Sequence, residues 1–90
     1  MRAKRSRLPP LTAVRAFEAA ARHLSFKDAA TELCVSQSAV SHQIKVLEEF
    51  LGLRLFLRKP RSVTLTPKGM IYYPALSAAL DNIAEVTKTI

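Results

Sequence analysis

A mainly α fold with one short β hairpin is what this sequence predicts, and three observations predict it. Apolar residues recur at spacings of 3 and 4 over most of the chain, as on one face of a helix. Between Leu53 and Leu65 that period gives way to two short strand-like runs around Lys59-Pro60-Arg61. Capping signals divide the remainder: Pro10, Ser25, Ser36 and Thr66 stand where helices would begin, and Gly52 where one would end.

Composition narrows what such a fold could do. The chain has 90 residues, enough for one domain with a modest core, and 49% of them are apolar. Two glycines argue against a Gly-rich loop cradling phosphates. The single Cys34 excludes an intrachain disulfide framework, and with two histidines it leaves no zinc spacing, so no metal or cofactor is expected. No apolar run approaches the roughly 18 residues of a membrane span. Pro9 and Pro10 stand where a signal peptide would need an apolar stretch, so a cytoplasmic, nucleoid-associated protein with no membrane partner is expected. The net charge of +7 comes from 14 Lys and Arg against 7 Asp and Glu, which points to a polyanion as partner. Four cations fall in Arg2–Arg7 and four more in Arg54–Arg61, one group on each side of the central helix.

Residues 1–8 read as a basic arm, expected to lack structure alone: either a solubilising tail or a contact to phosphate or the minor groove. Pro10 suits a first helical turn, and Leu11, Val14, Phe17 and Ala21 continue an apolar stripe to about Arg22. Ser25-Phe26-Lys27-Asp28 fits a capping box and opens a second helix that carries Phe26, Ala29, Ala30 and Leu33 inward. Cys34 and Val35 make a short turn, with Cys34 as an apolar plug or, less simply, a redox sensor. Ser36 caps a third helix whose Val40, Ile44, Leu47 and Leu51 form one stripe.

Two helices joined by such a turn, the second with a polar outer face, make the helix-turn-helix pattern. Leu55–Arg58 and Ser62–Leu65 then form a basic hairpin, a wing. Thr66 and Pro67 start a fourth helix that runs to the C-terminus, with a bend expected at Pro74. The predicted fold is therefore a winged helix-turn-helix with a two-stranded wing, over residues 9–66, followed by a long helix over 67–90.

The outer face of the third helix carries the chemistry. Ser38, Ser41, His42 and Lys45 lie opposite its apolar stripe, almost uncharged and rich in donors and acceptors. That suits a groove lined with base edges better than open solvent.

In that order the elements resemble the N-terminal DNA-binding domain of LysR-type transcriptional regulators. The resemblance rests on Phe17, Ala19–Ala21, Ser25-Phe26, Ala29-Ala30, Leu33, Val35–Ser41, Gln43-Ile44, Leu47-Glu48, Leu51-Gly52, Leu55-Phe56, Arg58 and Leu65-Thr66. Arg22–Phe26 and Ala39–Lys45 are also similar to the branch of the glycine-cleavage activator and the regulator of inducible β-lactamase. The resemblance implies a linker helix that pairs antiparallel with its copy. It also implies a ligand-sensing domain that members carry beyond that helix, so this chain, ending at Ile90, reads as a DNA-binding fragment. A small-molecule effector would belong to that further domain, and a full-length protein could form higher oligomers. Ser38 stands where many members have Pro or Ala and His42 where many have Arg, which bears on base readout rather than on DNA binding.

The expected partner is double-stranded DNA. Gln37 can pair bidentately with an adenine edge, and Ser38 and Ser41 could reach a base or a phosphate. His42 could read a base when neutral, meet a phosphate when charged, or be merely solvated. Lys45 is a phosphate contact, and Arg58 and Arg61 position the wing on the backbone. Ser25 and Ser36 lie at helix N-termini, Ser25 either as a phosphate seat or as a cap alone. A homodimer on an inverted-repeat operator is expected, because one helix reads too few base pairs to mark a site. Tyr73, Leu76, Leu80, Ile83 and Ile90 supply an a/d seam for it, unless that stripe packs on the domain's own core. Catalysis is not expected, since the adjacent Ser41 and His42 diverge on a helix and no acid orients either histidine. The remaining alternative is a basic module binding RNA or an anionic surface without sequence specificity.

Overall fold

The computed structural model describes residues 7–90. The reading of residues 1–8 as an arm therefore falls, apart from Arg7 and Leu8, outside the described residues. The elements are α1 (Leu11–His23), α2 (Phe26–Leu33), α3 (Gln37–Leu51), β1 (Phe56–Lys59), β2 (Ser62–Leu65) and α4 (Pro67–Thr89). The strands pair antiparallel in register from Phe56↔Leu65 to Lys59↔Ser62. The hairpin loop is thus Pro60-Arg61, and Leu55 precedes the strand rather than opening it.

Local chemistry accounts for most helix ends. The hydroxyls of Ser25, Ser36 and Thr66 accept the amide N–H groups of Asp28, Ala39 and Gly69, each satisfying a first-turn donor that has no partner within the helix. The capping box forms only by half, because the Ser25 N–H donates to the Ala20 carbonyl at 3.3 Å instead of to Asp28. Pro10 is the N-cap of α1 rather than a first-turn residue. Gly52 closes α3 at φ 73° as expected. Leu24 and Cys34 end α1 and α2 in the same left-handed conformation, although neither is glycine.

The core lies where α1, α2, α3 and the wing root meet. Val14, Phe17, Ala21, Ala29, Ala30, Val40, Ile44 and Leu47 are buried as the stripes require, with Leu55 and Phe56 from the wing. Leu11 departs from its stripe and is exposed, lining a shallow groove between α1 and α4 instead of the core. Cys34 is exposed as well, so it is no plug; it stands with a left-handed backbone as the C-cap of α2.

Aromatic rings run through this core as one file. Tyr72 of α4 lies 5.7 Å from Phe17, Phe17 lies 5.5 Å from Phe56, and Phe56 lies 5.2 Å from Phe26. The latter two pairs are edge-to-face, an arrangement the ring quadrupole favours by roughly 0.5–1.5 kcal/mol. The file shows that α4 is not an appendage from its first residue. Tyr72, Tyr73 and Leu76 pack on the core, and Gly69 is buried in it. Packing on the core therefore continues past residue 66 into α4, through Tyr72, Tyr73 and Leu76. The helix runs unbroken through Pro74, at which one helical N–H is lost.

An ion network ties α1 to α2 on the side of Glu18. Arg22 donates to both Glu18 oxygens at 2.9 and 2.8 Å and to both Glu32 oxygens at 2.8 Å. His23, contrary to the expectation that no acid orients either histidine, meets Glu32 at 2.7 Å because α1 and α2 pack side by side, and the Ser77 hydroxyl of α4 donates to Glu18 at 3.3 Å. Hydrogen bonds from Arg22, then His23, hold the Glu32 carboxyl down to about 2, and the two carboxylates raise Arg22 above its ordinary range.

Candidate nucleic-acid interface

The fold brings the start of α2, the outer face of α3 and the wing around one open groove. Of the residues singled out in the sequence, Ser25, Gln37, Ser38, Ser41, His42, Lys45, Arg58 and Arg61 all line it. Ser36 does not. Its hydroxyl is occupied as the cap of α3, accepting from Ala39 at 3.1 Å and standing 3.1 Å from the Ser38 hydroxyl.

Helical geometry explains the placement on α3. Val40, Ile44 and Leu47 are buried, which turns Gln37, Ser38, His42 and Lys45 outward, all exposed, with Ser41 half-buried at the base of the groove. Lys27, Arg54, Lys59 and Ser62 line the groove too, although sequence reasoning passed them over. The signal for the cations was their membership of the charge cluster at Arg54–Arg61; Lys27 needed the three-dimensional approach of α2. Among the described residues six cations thus line the groove around a face of neutral hydrogen-bonding groups, Lys27, Lys45, Arg54, Arg58, Lys59 and Arg61, with two acids, Glu48 and Glu49, at the C-terminal end of α3.

Arg58 sits differently from a free phosphate contact. Its guanidinium lies 4.9 Å from the centroid of the Phe26 ring, and its Nη1 reaches 3.5 Å from the Ser41 hydroxyl. The cation–π contact, worth about 0.5–1 kcal/mol near a surface, holds the wing over the start of α2. Arg61, at the hairpin tip, is exposed.

One acid of α3 ties the wing to the helix. Glu48 is buried, and its Oε2 accepts the N–H groups of Leu55 at 2.8 Å and Phe56 at 3.2 Å. Arg54 Nε lies 3.6 Å from the other oxygen. From the opposite side Thr66 holds the same segment: its hydroxyl donates to the Arg54 carbonyl at 2.8 Å and its N–H to the Leu55 carbonyl at 2.9 Å. The turn from α3 into the wing is therefore bonded on one side to α3 and on the other to the start of α4. One sequence signal could have found Glu48: it lies four residues after Ile44, beside the apolar stripe, where a solvated acid would not be placed.

The predicted seam divides in two. Tyr73 and Leu76 are half-buried on the core, and Leu80 lines a shallow groove with Leu11, Arg15 and Glu18 of α1. Ile83 is 55% exposed and Ile90 99%, with Val86 exposed between them. Of the predicted seam, the distal part is the more exposed; Met70 and Ile71, outside the seam, are exposed near the start of α4 as well.

Comparison with known proteins decides the family. Residues 11–70 match the model of bacterial regulatory helix-turn-helix proteins of the lysR family. The chain belongs to that family. Among its LysR relatives, the glycine cleavage system transcriptional activator of Escherichia coli is 56% identical over 82 residues, 91% of this chain and 27% of that protein. The HTH-type transcriptional activator AmpR of Pseudomonas aeruginosa is 60% identical over 75 residues, 83% of this chain and 25% of that one. This chain thus spans about a quarter of the length of these curated relatives. A crystal structure of the BenM DNA-binding domain in complex with a catB site 1 DNA superposes with a TM-score of 0.83 at 36% identity, covering 89% of this chain and 90% of that one. Oxidised OxyR of Corynebacterium glutamicum gives a TM-score of 0.85 at 33% identity over 91% of this chain and 26% of its own. No helix among the described residues is long and apolar enough to cross a membrane.

Proposed function

We propose that this chain is the DNA-binding part of a LysR-type transcriptional regulator, acting in the cytoplasm on double-stranded operator DNA. The observation that carries this is the groove itself: a face of Gln37, Ser38, Ser41 and His42 with almost no charge, rimmed by six cations. Neutral donors and acceptors discriminate base edges, whereas the cations hold phosphates whatever the sequence. α3 enters the major groove, Gln37 reads an adenine, and Ser38, Ser41 and His42 contact adjacent bases or phosphates. Lys45, Arg61 and the α2 end at Ser25 fix the register on the backbone, with Arg58 bracing the wing. Ser36 contributes through its cap, by shaping the first turn from which Gln37 projects. The crystallised BenM domain on DNA, similar over nearly all of this chain, supports the same use of the fold.

The test begins with duplexes enriched by this protein from a random pool. Gln37→Ala should lose about 1–3 kcal/mol on the enriched duplex through one or two base pairs, and little on random DNA. Arg61→Ala should weaken both alike and lower the salt slope by about 1. A pool that yields no enriched sequence, with RNA or anionic vesicles competing as well as DNA, would favour the nonspecific basic module.

A two-fold dimer on an inverted repeat completes the reading, with α4 as the pairing helix. Its distal surface of Ile83, Val86 and Ile90 supports this, continued by Leu80 and, where α4 reaches the core, by Leu76 and Tyr73. Ile83→Asp is the clean probe, because Ile83 is exposed in the single chain and a buried unpaired carboxylate would be costly only in a dimer. Sedimentation at tens of micromolar should give a dimer for the wild type and a monomer for Ile83→Asp, with helical circular dichroism retained by both. A dimeric Ile83→Asp would place the interface elsewhere.

A further inference from the structure

Leu24 stands at a position where the backbone favours glycine or asparagine. Its backbone is left-handed, at φ 51° and ψ 40°, and its N–H closes α1 on the Ala20 carbonyl. Glycine or asparagine ordinarily occupies such a position, because a branched side chain there meets its own carbonyl. Burial offsets only part of the strain, for Leu24 is 51% exposed. The side chain lines the DNA-facing groove, immediately before Ser25, whose hydroxyl caps α2. Residues held in such conformations by the structure around them cluster at functional sites.

We propose that Leu24 is a DNA-contacting residue that packs on a deoxyribose of the backbone, at the nucleotide whose phosphate approaches the α2 N-terminus. The inference rests on the DNA-binding reading above. The chemistry favours sugar over base: Leu24 belongs to the α2 edge of the groove, immediately before the cap Ser25, where a helix that meets phosphate also meets the sugars between phosphates. A deoxyribose offers an apolar face of C–H groups, and Lys27, three residues on, adds the charge that draws the backbone to this edge. An apolar contact of this kind carries no sequence information and releases no counterion. It should therefore strengthen every complex by the same factor.

The test compares Leu24→Asn and Leu24→Met with the wild type on an enriched and a random duplex across a salt series. Asparagine accepts the left-handed backbone, so its thermal midpoint should stay within a few degrees of the wild type's or exceed it. Its binding should nevertheless weaken roughly 3- to 10-fold on both duplexes, the loss of about half a leucine's burial, with an unchanged salt slope. Methionine keeps the apolar reach and should restore wild-type affinity. Unchanged affinity in Leu24→Asn, a loss confined to one base pair, or a loss that methionine does not restore would each overturn the proposal. If the wild type itself binds no duplex, the underlying DNA reading fails instead, and the two failures are told apart by that control.

Discussion

Glu48→Ala is expected to cost the domain about 2–4 kcal/mol, a large share of the 5–15 kcal/mol that holds a typical domain together. The substitution leaves two buried amide N–H groups, those of Leu55 and Phe56, without their acceptor. Each unmet buried donor costs roughly 1–3 kcal/mol. Relief from holding a charge out of water offsets part of the sum, which sets the lower end of the range. Glu48→Gln keeps an oxygen that can accept both bonds and should lose no more than about 1 kcal/mol. Urea unfolding followed by circular dichroism reads both values. The consequence for binding follows from what the carboxylate connects: without it the wing root is no longer tied to α3, and Arg58, Lys59 and Arg61 lose their fixed distance from Gln37. A Glu48→Ala protein as stable as the wild type would mean that water reaches the two amides and takes over the acceptor's role.

The second large effect is expected at Gly69, in the first turn of α4. A Cβ built there would stand 2.4 Å from the Leu55 carbonyl oxygen and 3.0 Å from Leu65 Cδ2. The oxygen is backbone and already accepts the Thr66 N–H, so it has no freedom to retreat. Helix propensity alone would favour alanine by about 1 kcal/mol. Overpacking against backbone should outweigh that, giving a net loss of about 1–3 kcal/mol. The same unfolding experiment decides the sign. A Gly69→Ala protein more stable than the wild type would show that α4 can slide off the wing root at little cost. Because that contact joins the proposed pairing helix to the proposed wing, such a result would also uncouple the dimer's geometry from the groove.

These two positions mark where reading the chain stops and reading the fold begins. The sequence by itself determined the helices of the domain, their caps at Ser25, Ser36, Thr66 and Gly52, the hairpin and the outward face of α3. Each depends on residues within a turn or two of one another: a stripe of period 3.6, a hydroxyl three residues from an amide, a change of period around Pro60. The tertiary structure alone decided matters that join distant segments. Leu11 belongs to the stripe of α1 by spacing, yet it is exposed, lining a shallow groove between α1 and α4 instead of the core. Tyr73 and Leu76 belong to the seam of α4 by spacing, yet they pack on the core because Tyr72 is drawn against Phe17. Arg58 carries the charge of a phosphate contact, yet it rests on Phe26. Glu48 lies beside the apolar stripe of α3 by spacing, yet the partners that occupy it, the N–H groups of Leu55 and Phe56, come from the wing root. Periodicity assigns a residue to a face of its own helix. What meets that face is set by long-range packing, in which a buried donor must find an acceptor wherever the chain provides one.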